Sequence, residues 1–155
     1  MRGGASVRDR FSGWESALSP LGMKMTRITA FLSVRSGRLS ANEISDLLEI
    51  DADREVLKGS LRTPPKPYPP SNGWNISCRY DEYVDLNIAI RDLSLRLGEK
   101  IETLSRLRNH EHLKDISVKI AIAPEHERIP MFFSAETIAF LAKIGATFEI
   151  EHFPE

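Results

Sequence analysis

The sequence predicts an α+β domain, a single sheet with helices mainly on one face, and three observations predict it. Two stretches, around Ile28 and Ile116, alternate apolar with polar residues, the period-two signature of a half-buried strand. Between and after them, apolar residues recur at helical spacing behind Ser residues suited to start helices. The 155-residue chain is 41% hydrophobic and 28% charged, which places it among chains that bury a core and outside the disordered regime.

The first strand begins at Thr26, with Ile28, Ala30, Leu32 and Val34 on one face and Thr29, Phe31 and Ser33 on the other. Gly37 turns the chain. Ser40 with Glu43 three residues later makes a capping box, and Ile44, Leu47 and Leu48 give the helix that follows its buried side. Glu55 to Lys58 forms a short second strand, ended by Gly59. The stretch 60–73 carries Pro64, Pro65, Pro67, Pro69 and Pro70, five of the nine prolines. Those positions lack N–H donors, so the stretch reads as a loop of polyproline II character.

Trp74 to Cys78 resumes alternation as a third strand, paired with the second across this loop. Tyr83 to Leu97 has apolar residues at helical spacing, with Gly98 as a stop or bend, and Glu99 to Arg108 continues as a further helical piece. Ile116, Val118, Ile120 and Ile122 form the clearest strand, stopped by Pro124. Ser134 opens a last helix, which ends at Ile144 before Gly145, and Thr147 to Phe153 closes the chain as a strand. The order β-α-β-β-α-α-β-α-β is a ferredoxin-like split βαβ plan with a helix and strand appended. It predicts that the ribbons around Ile28 and Ile116 lie side by side.

Charge and composition exclude several classes. Residues 1–25 hold four basic and two acidic residues, and the remainder 17 against 20. Neither balance gives the clustered basic surface that nucleic acid requires. No apolar run approaches the roughly 20 residues that span a bilayer, and residues 1–25 lack the apolar core of a secretory signal. One cysteine, Cys78, cannot close an internal disulfide, which fits a reducing cytoplasm. Residues 1–25 are read as a poorly ordered leader, and 26–155 as a single domain. An alternative lets the leader's Phe11, Trp14, Leu18 and Leu21 dock on the body or on a partner.

Each candidate site has a bland reading beside it. Lys58 and Gly59 with Gly73 and Trp74 bracket the proline loop, and pairing of the flanking strands would bring cation, indole and loop together for an anion or acidic peptide. The glycines are also what a chain needs to leave and re-enter a sheet, and Trp74 could be ordinary core. Tyr68, between stiff prolines, is the residue best placed to insert into a partner. Two P-x-x-P frames surround it, without the flanking cation that orients such segments on an SH3 groove.

His110, Glu111 and His112, with His126 further on, offer ligand types but no H-E-x-x-H spacing, so no metal site is assigned and no cofactor is expected. Asp81, Glu82 and Asp85 are paired carboxylates suited to acid–base work. The first turn of a helix also favours acidic groups for electrostatic reasons. Cys78, beside Trp74 and Ile76 in the alternation, reads as a small core residue.

Several of these segments together resemble a known family. They are Leu39-Ser40-Ala41-Asn42-Glu43-Ile44-Ser45 with Leu48, Leu57-Lys58-Gly59, Gly73-Trp74, and Ala142-Lys143-Ile144-Gly145-Ala146 leading into Phe148-Glu149-Ile150. The resemblance is to an uncharacterised bacterial family, domain of unknown function 4279, and covers about 26–153. Members often carry an aromatic residue where this chain has Leu57. The family has no activity to transfer, so no catalytic residue is carried over. The resemblance is compatible with an immunity role, in which a small domain neutralises a toxin.

The resulting expectation is a non-enzymatic cytoplasmic binding domain with a protein partner, using Lys58, Tyr68 and Trp74 and one open sheet face. The competing readings are a small hydrolase or ligand-processing enzyme around Lys58, Trp74, Asp81 and Glu82, and a homodimer joined through sheet edges, the terminal strand being the candidate.

Overall fold

The computed structural model describes residues 26–60, 68–123 and 129–153. The expected leader, the Pro64–Pro67 segment, Pro124 and His126 lie outside them. The elements are β1 (Arg27–Ser36), α1 (Ala41–Leu48), β2 (Arg54–Val56), β3 (Asn72–Tyr80), α2 (Leu86–Leu97), a 3-10 turn (Gly98–Lys100), α3 (Ile101–Leu107), β4 (Leu113–Ala123), α4 (Ala135–Ile144) and β5 (Thr147–His152). The sheet order is β2-β3-β1-β4-β5. β1 is antiparallel to both β3 and β4, β2 is antiparallel to β3, and β5 joins β4 in parallel. β1 and β2 therefore run the same way with β3 inserted between them, the split βαβ plan, and α4–β5 is the appended unit.

The two greasy ribbons are direct neighbours, with Val34 opposite Ile116 and Ile28 opposite Ile122. Alternation then fixes the core. Ile28, Ala30, Leu32 and Val34 of β1 share a face with Trp74 and Ile76 of β3 and with Val118, Ile120 and Ile122 of β4, all fully buried. Ile44 and Leu48 of α1, Ile90 and Leu93 of α2, Leu104 of α3 and Ile144 of α4 close over that face. Each large side chain removed from water contributes about 1.5–3 kcal/mol. The other face is polar at many positions. There Arg35 donates to both Asp115 oxygens at 2.6 Å, Lys119 lies 3.1 Å from Glu151, and the Ser33 hydroxyl donates to Asn75.

The caps form where the sequence placed them. Ser40 accepts from the Glu43 N–H while the Glu43 carboxylate accepts from the Ser40 N–H, and Ser134 accepts from the Thr137 N–H. Other boundaries move. β2 is Arg54–Val56 rather than Glu55–Lys58, because Leu57 to Ser60 closes a turn through a Ser60 N–H bond to the Leu57 carbonyl. β3 starts two residues earlier than its apolar pattern, since Asn72 and Gly73 pair with Ser36 and Arg35. α2 starts at Leu86, because Asp85 is its N-cap and accepts from the Asn87 N–H at 2.8 Å. Asp81 and Glu82 thus precede the helix instead of occupying its first turn.

Candidate functional site

One end of the sheet gathers the C-termini of β1 and β2, the N-termini of β3 and β4, and the foot of the proline loop. Asn72, at the start of β3, is the hub. Its Oδ1 accepts from the Lys58 N–H at 2.9 Å and its Nδ2 donates to the Leu39 carbonyl at 3.0 Å. Gly59, at φ +72°, donates its N–H to the Pro69 carbonyl at 3.0 Å. The Lys114 ammonium donates to the Pro70 carbonyl at 3.1 Å. These bonds pin the returning limb of the loop on both sides, so Lys58 and Tyr68 are brought to the same pole. Pro69 is buried, whereas Tyr68 beside it is 63% exposed and the Lys58 side chain is also exposed.

Trp74 does not join that surface. It stands on the helix-covered face opposite Val34, is 0% exposed, and its Nε1 donates towards Ser45 Oγ at 3.1 Å and the Ile50 carbonyl at 3.3 Å. The indole ties α1 to β3 and is not offered to a cation beside Lys58. Asp81 and Glu82 are exposed at the far end of β3, where Asp81 lies 3.8 Å from Arg27. The strand between them and Lys58 is nine residues long, roughly 27 Å at 3.4 Å per step, so the Lys58–Trp74–Asp81–Glu82 grouping is not brought together.

The remaining sequence candidates are placed as follows. The His110 and His112 rings lie 5.3 Å apart at the turn before β4. His112 Nε2 is 3.0 Å from a Glu111 oxygen and 3.2 Å from Arg38 Nη1, and His110 Nδ1 accepts the His112 N–H. Among the described residues no group of three or more His, Cys, Asp and Glu could hold a metal ion. Cys78 is half-buried, and burial pushes its thiol pKa up, away from thiolate reactivity.

The comparison with known families is decisive for kinship. The domain of unknown function DUF4279 matches residues 26–152, from the threshold of β1 to the end of β5. The chain belongs to this family. No curated protein matches the chain, and no solved structure does. DUF4279 carries no assigned activity, so the surfaces of this member have to be read from its own geometry. Among the described residues no helix is long and apolar enough to cross a membrane.

A second surface of this DUF4279 chain escaped the sequence reading. The N-terminal halves of α2 and α4 start at the same end of the sheet and leave a groove of about 290 Å³ between them. Asn87 joins its walls, donating to the Phe132 carbonyl at 3.0 Å and accepting from the Ser134 N–H and the Thr137 hydroxyl, both at 2.8 Å. Ile88 and Phe132, 37% and 62% exposed, line it together with Phe140, and Arg91 and Glu136 stand on its opposite helices. A signal existed in apolar residues in excess of the buried stripe, Ile88 and Leu95 on α2 and Phe132 ahead of Ser134. Their meeting place depends on how two helices distant in sequence pack.

Proposed function

We propose that this chain is a non-catalytic binding domain that holds a protein partner on the pole formed by Lys58 and the Tyr68–Pro70 limb. The observation that carries this reading is Tyr68, a large aromatic ring left 63% exposed on a backbone pinned by Gly59 to Pro69 and by Lys114 to Pro70. Tyrosines are over-represented among residues that dominate binding energy. A backbone already held in place loses little further freedom when a partner arrives. Lys58 is exposed at this pole and Lys114 lies against Pro70, two cations that suit a partner with an acidic surface. In its most concrete form the domain works in the cytoplasm as an immunity-type protein, and the partner is a toxin it neutralises. The hydrolase reading gains no support, because its lysine and its carboxylates lie at opposite ends of β3.

The test is to capture partners with the tagged full chain from its own cells, identify any protein recovered in stoichiometric amount, and titrate it with purified variants. Tyr68→Ala and Lys58→Glu, folded by circular dichroism, are expected to weaken binding, Tyr68→Ala by about 30-fold if it acts as a binding hot spot. Recovery of no stoichiometric protein, or wild-type affinity in both variants, would refute the proposal.

A further inference from the structure

We infer that the groove between α2 and α4 is the contact surface for a second copy of this chain, paired about a two-fold axis that runs through the groove. The argument starts from its charges. Arg91 on α2 has a 62% exposed side chain, and its nearest carboxylate is that of its neighbour Asp92, at 3.5 Å. Asp92 in turn accepts the hydroxyl hydrogen of Tyr80. Glu136 on α4 is exposed and has no ion-pair partner among the described residues. The α2 wall also carries Asp85, whose carboxylate is engaged as the N-cap by the Asn87 N–H and side-chain amide, so the charges left facing outward are Arg91 on one wall and Glu136 on the other, a self-complementary pair. Rotation by 180° about an axis between them lays each Arg91 on the Glu136 of the other copy, which is the condition an isologous interface must meet.

The apolar floor fits the same partner. Ile88 and Phe132 line the same groove and are exposed, so pairing of two copies there would cover them. Exposed Leu95, two turns along α2 from Ile88 and 68% exposed, extends the apolar surface towards the roughly 800 Å² per subunit that stable interfaces bury. The competing edge is less suitable. In β5, Glu149 and Glu151 share a face and lie 3.9 and 3.1 Å from the single cation of Lys119, so antiparallel pairing with a second β5 brings four carboxylates together against two ammonium groups, an arrangement that weakens pairing.

Charge reversal tests the inference. The full chain is measured by light scattering and sedimentation across a concentration series, alongside Arg91→Glu, Glu136→Arg and the double variant, each checked for fold by its melting temperature. The wild type is expected to dimerise. Each single reversal is expected to weaken dimerisation by at least tenfold or so, because symmetry applies it twice. The double reversal is expected to restore the dimer, and an equimolar mixture of the two single variants to form a heterodimer. A wild type that stays monomeric at about 100 μM, far above a typical interface's Kd, would overturn the inference. So would a dimer indifferent to both single reversals. The pole at Tyr68 is untouched by these variants, so the fate of this inference and that of the proposed partner site are read separately.

Discussion

At the scale of single residues, position in the alternation decides role more firmly than residue type does. Trp74 and Tyr68 are both large aromatics close to the proline loop, yet one is sealed beneath α1 and the other faces water. Replacing Trp74 by Phe keeps most of the buried ring and removes the N–H that reaches Ser45 and Ile50. The expected loss is about 1 kcal/mol, against about 3–5 kcal/mol for Trp74→Ala, both measured by chemical denaturation. Asp53 carries a second prediction. Arg96 at 2.5 Å lowers its pKa below the ordinary 3.8, with help from the Ser77 N–H. A carboxylate favoured in the folded state adds stability above its unfolded pKa and loses it as pH falls through the lower folded value. Stability of the wild type should therefore drop on acidification below about pH 4, and Asp53→Asn should be weaker at pH 7 and flatter in that acidic window, as followed by denaturation at each pH.

At the scale of elements, ends written in capping chemistry were legible and ends set by distant partners were not. Ser40 with Glu43, Ser134 with Thr137 and the glycine after Ile144 each mark a helix terminus through bonds made within a few residues. The start of α2 was misplaced because Tyr83 and Val84 continue the helical spacing of apolar residues, while the cap bond from Asp85 begins the helix at Leu86. The start of β3 was hidden because Asn72 and Gly73 are strand only by virtue of the neighbours they pair with, β1 beside both and β2 beside Gly73. Gly145 tests the local class. It sits at φ +65°, and a Cβ there would come within 2.8 Å of Arg108 Cδ, whose guanidinium donates to the Ala142 carbonyl. Gly145→Ala should cost about 1–2 kcal/mol, from left-handed strain and the displaced arginine together, read as a lowered melting temperature.

At the scale of the whole molecule, the sheet order followed from the sequence because a βαββαβ pattern with one strongly alternating strand at each end admits few arrangements. β1, flanked on both sides along its length, is the strand on which the others depend. Hydrogen exchange should accordingly find the β1 amides among the slowest, while three-residue β2 at the edge exchanges much faster. Leu32→Ala, at the centre of β1, should cost about 2–5 kcal/mol. The surfaces were less legible for a physical reason. Lys58 and Tyr68 share a pole because the Gly59–Pro69, Lys58–Asn72 and Lys114–Pro70 bonds hold the two limbs of the loop, and the groove exists because Asn87 reaches Phe132 and Ser134 some 45 residues away. Spacing along a chain reports which residues share a face of one element and is silent about which faces later meet.

The parallel pairing of β5 with β4 has a practical consequence. The chain enters β1 at Arg27 opposite Ala123, and it leaves β5 at His152 opposite Ile122, so entry and exit are separated by little more than the width of one strand, roughly 10 Å. Both face away from the Tyr68 pole. A reporter inserted just before Arg27 and another just after His152 would therefore stand close together at the rear of the sheet, and loss of their proximity would report unfolding of this domain.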